Sequence, residues 1–543
     1  MSEVARILDI PVKGPETCDL VRKWTDLLGI EGAPDLRYKQ AECFEELASA
    51  HRWCGGLFGL DVGAGKTLTG MLAPKVLGCE GQAILLTKSS LVKQTRKHND
   101  QWSKIFPCEP PTVVSYSMLS TPKGQRMLHD LQPKLIICDE AHCLANHQAA
   151  RTKRLMAYAK QYVTQCRFVY MSGSFVKKSV RDFAHLSDTA LLAGSPLPPR
   201  YSDLANWAAV LDWGSEPTRA QVKAFAPMRE WAGVPSPRST SAAQVATRIA
   251  FRKRLWATPG VVWSSDSSCD TELTIRPWTC PLTPRTKAAL EALHGMWELP
   301  NGDCLVSGSE TYRHAHTLAY GFYQVWDWDA VGGVDVEWNE ARKAWTRAVN
   351  GHCTYRATPG MDTRYFVEEA ARRGDLPAGL QAAWAAWLAV SKRPAPPTKT
   401  VVHDPLQVRV LKAMLAKLPA DTLIWIETPE LAKLLPHLTY HGVGTDGPEK
   451  GTVLISSKVH GTGWDGWHYR QSVVLQPGTG VDWWQQLLGR THRGGQTFDV
   501  GYGVAQNTQA QKSNLAKARS KATTSEDLLG QQQKLCSATW AGC

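Results

Sequence analysis

Residues 60–67 read LDVGAGKT, and residues 134–142 read KLIICDEAH. The first follows the apolar stretch GGLFGL at 55–60, so the pattern predicts a buried strand, a glycine-rich turn and a helix beginning near Thr67. Backbone N–H groups in such a turn converge on phosphate oxygens. Gly63 and Gly65 let the backbone approach closely, Lys66 can reach the outer phosphates, and the Thr67 hydroxyl can ligate Mg²⁺. In the second segment the apolar run Leu135 to Cys138 places Asp139 and Glu140 at the carboxyl edge of a strand, where carboxylates hold a metal and polarise water. A glycine-rich turn alone also serves as an ordinary loop-to-helix junction; the pairing of the two segments is the stronger sign.

The 543 residues suffice for about three or four domains. A net charge of +12 and a pI near 9.0, with Lys and Arg spread along the sequence, favour a polyanionic partner over solubilising charge alone. The 14 cysteines are scattered, with Cys138 and Cys166 inside apolar runs, and they read as reduced thiols. Cys269, Cys280, Cys304 and Cys353, with His294, His314, His316 and His352 nearby, do not have the spacing of a compact zinc knuckle. The first residues hold no apolar core of signal-peptide length, and no run of about 18 apolar residues occurs. The expectation is a soluble protein with no membrane partner, in the cytoplasm of a bacterium or a phage-infected host, a nuclear setting remaining open.

Residues 1–34 form a lead-in segment broken at Gly14-Pro15 and Gly32-Ala33-Pro34. From 35 to 210, strand-like runs (AILLT at 83–87, TVVSY at 112–116, LIICD at 135–139, RFVYMS at 167–172) alternate with helical segments, the signature of an α/β lobe. A second set, TLIWIE at 422–427, TVLISS at 452–457 and SVVLQP at 472–477, predicts another parallel sheet within 401–505. Between them, 211–400 is rich in Trp, Arg and Ala and reads as mostly helical, with SKRPAPPTKT at 391–400 as a linker. Residues 506–543 are polar and suggest one helix and a frayed end. Many of the 22 tryptophans lie beside basic residues, as single-strand stacking would want, but Trp384 and Trp387 have the spacing of a packed helix face.

At 481–496 the chain reads VDWWQQLLGRTHRGGQ, with Arg490 and Arg493 three residues apart and Gln486 before them. On one helical face, two guanidiniums could reach a terminal phosphate held by the first lobe. The spacing QxxGRxxRxGQ, with Gly489, Gly495 and Gln496, following GKT and DEAH in this order, resembles the last motif of superfamily 2 helicases, especially the Swi/Snf-type translocase branch. Other landmarks of that family fall in order. LRYKQ at 36–40 is similar to the adenine-reading entry, LLTKSSLVKQTRKH at 85–98 to motif Ia and SYSML at 115–119 to motif Ib. Ser172-Gly173-Ser174 resembles motif III, the region of TLIWIE motif IV, and SSKVHGTGWDGW, with Gly461, Gly463 and Asp465, motif V. Three departures are visible: Leu60 stands at the leading glycine of GxxxxGK[ST], SGSFVKKS lacks the Pro and Asn usual after motif III in the Swi/Snf branch, and GTGWDG replaces its glycine-leucine-asparagine pattern.

The resemblance implies a P-loop NTPase of two RecA-like parallel-sheet lobes, here with a Trp-rich insertion, and a compact, divergent member of bacterial or phage origin. It implies ATP and Mg²⁺ as cofactors, with Lys66, Asp139, Glu140, Arg490 and Arg493 catalytic and Thr67 and Asp139 on the metal. Arg37 and Gln40 would meet the adenine end; Gly63, Gly65, Gly463, Asp465 and Gln486 would line the nucleotide, and Ser172 and Ser174 would couple hydrolysis to lobe movement. Lys88, Ser90 and Lys93, in motif Ia, would touch nucleic acid, DNA before RNA. Three readings follow: a DNA helicase or translocase, an RNA helicase, or a nucleotide-gated DNA-binding accessory subunit without motor activity.

Overall fold

A computed structural model describes residues 2–14, 19–50, 54–61, 63–176, 179–264, 269–355, 361, 364–461 and 464–542. The apolar runs form strands β1 (Gly56–Gly59), β2 (Ala83–Thr87), β3 (Thr112–Ser115), β4 (Leu135–Asp139), β5 (Arg167–Ser172) and β6 (Val261–Trp263). They build one parallel sheet in the order β3-β2-β4-β5-β1-β6. The reason the central strands read as unbroken apolar runs is that parallel sheets are covered on both faces. One face packs Ile136, Tyr170 and Phe183, the other Phe58, Ile137 and Val169.

A second sheet takes β7 (Leu273–Trp278), β10 (Thr422–Ile426), β11 (Tyr440–His441), β12 (Val453–Ser456), β13 (Gln471–Val474), β14 (Val500–Ala505) and β15 (Thr539–Trp540). Its order is β11-β12-β10-β13-β14-β7-β15, again parallel. β8 (Phe322–Trp326) and β9 (Thr398–Val402) form a separate antiparallel pair at the base of the helical insertion. The architecture is thus α/β, two RecA-like lobes.

Sheet membership departs from the sequence boundaries in three places. Residues 201–256 form helices whose Trp207, Phe225, Met228 and Phe251 join the first lobe's core, and β6 follows them into that lobe's sheet, so the lobe extends beyond 210. β7 enters the second sheet from a stretch read as insertion; β6 has only three residues, and β7 carries Arg276 and Pro277 within its six, which break the apolar run that marks the other strands. The region after 505 is not frayed. Helix Gln509–Leu529 packs Leu515, Ala518 and Ala522 into the second lobe and Leu528 and Leu529 into the first. Its far end is fixed to helix Thr240–Trp256, since Arg252 Nη1 donates to Glu526 O (3.0 Å) and Trp256 Nε1 to Leu529 O (2.8 Å). Of the lead-in, Val4, Ile7 and Ile10 also enter the first lobe's core.

Trp326, Trp328, Trp338, Trp345, Trp384 and Trp387 of the insertion pack against one another. Trp345 is 1 % exposed with its ring 5.0 Å from that of Trp384, and Trp338, 4 % exposed, meets Trp326, Trp328 and Trp387 edge to face. Arg342 lies over the rings of Trp326 and Trp338, so even this aromatic and basic interleaving is satisfied internally. Trp345→Ala is therefore expected to destabilise the protein by about 3–5 kcal/mol, read as a lower unfolding midpoint, and to leave affinity for nucleic acid unchanged. Weaker nucleic-acid binding at an unaltered midpoint would reverse that assignment.

Candidate active site

The carboxyl ends of the first sheet face the turn that follows helix Val481–Leu488 of the second lobe. Between them lies a cleft of about 370 Å³. Lys66, Thr67, Asp139 and Glu140 line it from one side and Asp465, Gln486, Arg490 and Arg493 from the other.

The turn after β1 has the backbone its glycines predict: φ is +87° at Gly63 and +84° at Gly65, in the left-handed region that glycine enters freely. A Cβ at Gly65 would also lie 2.4 Å from Gln40 Nε2. The buried Gln40 braces this turn, its Nε2 donating to Gly65 O (3.1 Å) while its Oε1 accepts the Arg37 N–H (2.9 Å). The Arg37 guanidinium donates to Gly63 O. Helix Lys66–Val76 follows. The buried Lys66 ammonium donates to Leu60 O (3.1 Å) and Asp61 O (3.0 Å), which leaves one of its three N–H groups for an acceptor in the cleft.

β5 lies between β4 and β1 in the sheet, and the register sets Ser172 level with Gly59 and Met171 level with Asp139. One strand end therefore stands between the glycine turn and the carboxylates. Glu140 has φ +54°, a conformation uncommon outside glycine and often found at functional sites, and its N–H donates to Asp139 Oδ1 (3.0 Å). His142 Nδ1 lies 3.1 Å from both Glu140 Oε2 and Ser172 Oγ. Ser172 Oγ in turn accepts the Ser174 N–H (3.1 Å), so a chain of polar contacts runs from Glu140 to the turn after β5.

Burial, then the neighbouring Glu140 charge, raises the Asp139 pKa. Burial alone would raise Glu140 too, but Lys66, His142 and Lys88 outweigh it and hold that carboxylate ionised below its usual range. Burial opposes protonation of His142, yet the Cys143 thiol and Glu140 more than offset it and the imidazole titrates above its usual range. Lys88 is half-buried and acts on both carboxylates, whereas Ser90 and Lys93 are exposed.

On the second lobe, the expected single helical face is absent. The helix stops at Leu488 with Gly489 as its cap, and both arginines lie in the irregular turn that follows, which closes through Gly495 at φ +93°. Asp465 brings them together instead: it pairs with Arg493, and its Oδ1 is 4.0 Å from Arg490. Arg490 also donates to Trp464 O (2.8 Å) and Gln486 O (3.1 Å). Gly463 lies outside the described residues.

Two groups were missed by sequence reasoning. Gln485 joins the two lobes, its Nε2 donating to Asp61 Oδ1 at 3.0 Å. The wall beyond Gln40 is made by Leu36, Gln94, His98, Trp102 and Phe106. The spacing of four along 94, 98 and 102 is the signal that marks their shared helix face. With both ends of its amide on backbone, Gln40 serves the turn's shape. The wall offers rings on which a flat base can stack.

No family model matches the chain, and no curated protein matches it. Among solved structures, the chain is similar to the Sulfolobus solfataricus SWI2/SNF2 ATPase core in complex with dsDNA. The two are 14% identical, with a TM-score of 0.33 over 88% of each chain.

Gln40→Ala is expected to weaken binding of fluorescent adenine and guanine nucleotides by a similar factor of about 5 to 30, the worth of a lost buried hydrogen bond. A loss confined to the adenine nucleotide would make Gln40 the reader of the base.

Proposed function

We propose that the protein is an ATP-hydrolysing motor of the superfamily 2 kind, a DEAH-type helicase or translocase that moves along DNA. The observation that carries the reading is the single cleft that Lys66, Thr67, Asp139 and Glu140 share with Arg490 and Arg493 from the opposite lobe. The residues fit Mg-ATP: a glycine cradle closed to any Cβ at Gly65, a buried ammonium with a free N–H, and hard oxygen donors at Thr67 and Asp139 suited to Mg²⁺. When bound, the metal would neutralise charge on the outer phosphates.

Lys66 holds the outer phosphates, and Glu140, kept ionised by Lys66, is the general base that orients and deprotonates the attacking water. Arg490 and Arg493 leave Asp465 for the phosphate charge as the lobes close, so their contribution belongs to the closed state. The His142–Ser172–Ser174 chain carries the state of Glu140 to the turn after β5. Lys88, Ser90 and Lys93 follow the carboxyl end of β2, and with the net charge of +12 they support a nucleic-acid track. Lys88, facing the carboxylates, would serve both sites.

Steady-state ATP hydrolysis, measured alone and with single-stranded DNA, duplex DNA and single-stranded RNA at one stated salt concentration, tests the reading. DNA is expected to stimulate turnover most. Lys66→Ala and Glu140→Gln are each expected to cut stimulated turnover by at least about 100-fold with the melting temperature unchanged. Full turnover in both variants would sink the motor, and strongest stimulation by RNA would reassign the track. Absence of hydrolysis with every nucleic acid would leave a nucleotide-gated binder.

A further inference from the structure

Lys534 is 3 % exposed, beyond the regions where the sequence suggested function. Burying an ammonium is costly without compensation, and this one is placed where it serves two elements at once. Its Nζ lies 3.3 Å from His492 Nδ1, and His492 Nε2 lies 2.8 Å from Thr271 O. One ring nitrogen faces an ammonium donor and the other a carbonyl acceptor, so the imidazole is neutral and carries its proton on Nε2. Its depressed pKa, set by burial and then by the Lys534 charge, agrees. His492 stands between Arg490 and Arg493 in the chain, so fixing its ring fixes the turn that bears both guanidiniums.

The same residue is linked to the first lobe through its backbone. Lys534 N–H donates to Gln485 Oε1 (2.8 Å), and Gln485 Nε2 donates to Asp61 Oδ1 (3.0 Å), whose own carbonyl accepts from Lys66 Nζ. Gln485 Nε2 also contacts Gln532 O (3.4 Å), so the segment at 532–534 clasps this amide from one side.

We propose that Lys534 is a positioning residue, holding the arginine-bearing turn through His492 and tying it to the glycine turn through Gln485 and Asp61. The inference rests on the ATPase reading above for its kinetic consequence, though not for its structural one.

Lys534→Met tests it, because the substitution keeps most of the side chain's length and the backbone N–H to Gln485 while removing the ammonium. The unfolding midpoint is measured alongside, because His492 Nδ1 loses its donor and Asp61 a nearby positive charge. The expected result is a fall in nucleic-acid-stimulated kcat of about 10- to 100-fold, with KM for ATP within about twofold, since the groups that bind ATP in the first lobe are untouched. In a His492→Ala background, Lys534→Met should cost less than it does alone, because the Nζ–Nδ1 contact is already gone and only the ammonium's attraction to Asp61 is left to lose.

Amide hydrogen exchange supplies a readout independent of turnover: residues 489–496 should exchange faster in Lys534→Met, with the β4 and β5 amides unchanged. Wild-type kcat in the variant, losses that add in the double variant, or unchanged exchange at 489–496 would each overturn the proposal. If the unsubstituted protein hydrolyses no ATP, the motor reading fails, and the exchange measurement alone decides for or against Lys534.

Discussion

A charge taken out of water must be answered by a neighbour, and the cleft between the two sheets is organised by that demand. Lys66 is answered by two backbone carbonyls and by the field of Asp139 and Glu140; Arg490 by the carbonyls of Trp464 and Gln486; Arg493 by Asp465. All three cations line one cleft. The rigid parts are the carboxyl ends of β1, β4 and β5, whose register fixes the glycine turn, the carboxylates and Ser172 relative to one another. The turn 489–496 belongs to no strand ladder; it is held by side chains and by local backbone bonds, His492 N–H to Leu488 O (3.0 Å) and Gln496 N–H to Arg493 O (3.0 Å) among them.

The first lobe was legible because its chemistry and its periodicity coincide. LIICDE is both a buried parallel strand and a pair of carboxylates at its edge; LFGLDVGAGKT is both a strand and a turn whose positive φ values demand glycine. The main strands of the second sheet were legible for the same reason. Spacing could not show how Arg490 and Arg493 are presented. A separation of three suits a helix, but Gly489 ends the helix before them and an aspartate more than twenty residues earlier in the chain gathers them.

What escaped the sequence depends on contacts between distant segments. Nothing in QQQKLCS marks a lysine buried beside an arginine-bearing turn, because the burial comes from packing against residues about forty positions earlier. The polar composition after 505 suggested fraying, yet only one stripe of helix Gln509–Leu529 has to be apolar for it to bind both lobes. The tryptophans near basic residues were ambiguous for a related reason: stacking on a base and stacking on another indole require the same residue types, and only the ring geometry tells them apart.

The place of β7 in the second sheet has a consequence for how the chain reaches its fold. β7 precedes the insertion, but its neighbours are β14 and β15, so β10 to β13 must all be synthesised before it finds a partner. The first lobe's sheet is complete in sequence with β6, well before any of this. During synthesis a lobe with its sheet complete would carry an unpaired strand with Leu273 and Ile275 still uncovered, while the insertion closes its own β8–β9 pair beyond it. Long-range parallel pairing of this kind is slow and exposed to mispairing. The chain thus orders its own assembly: the first sheet can form before the second, and the cleft that Lys66 and Arg490 share is complete only when both are in place.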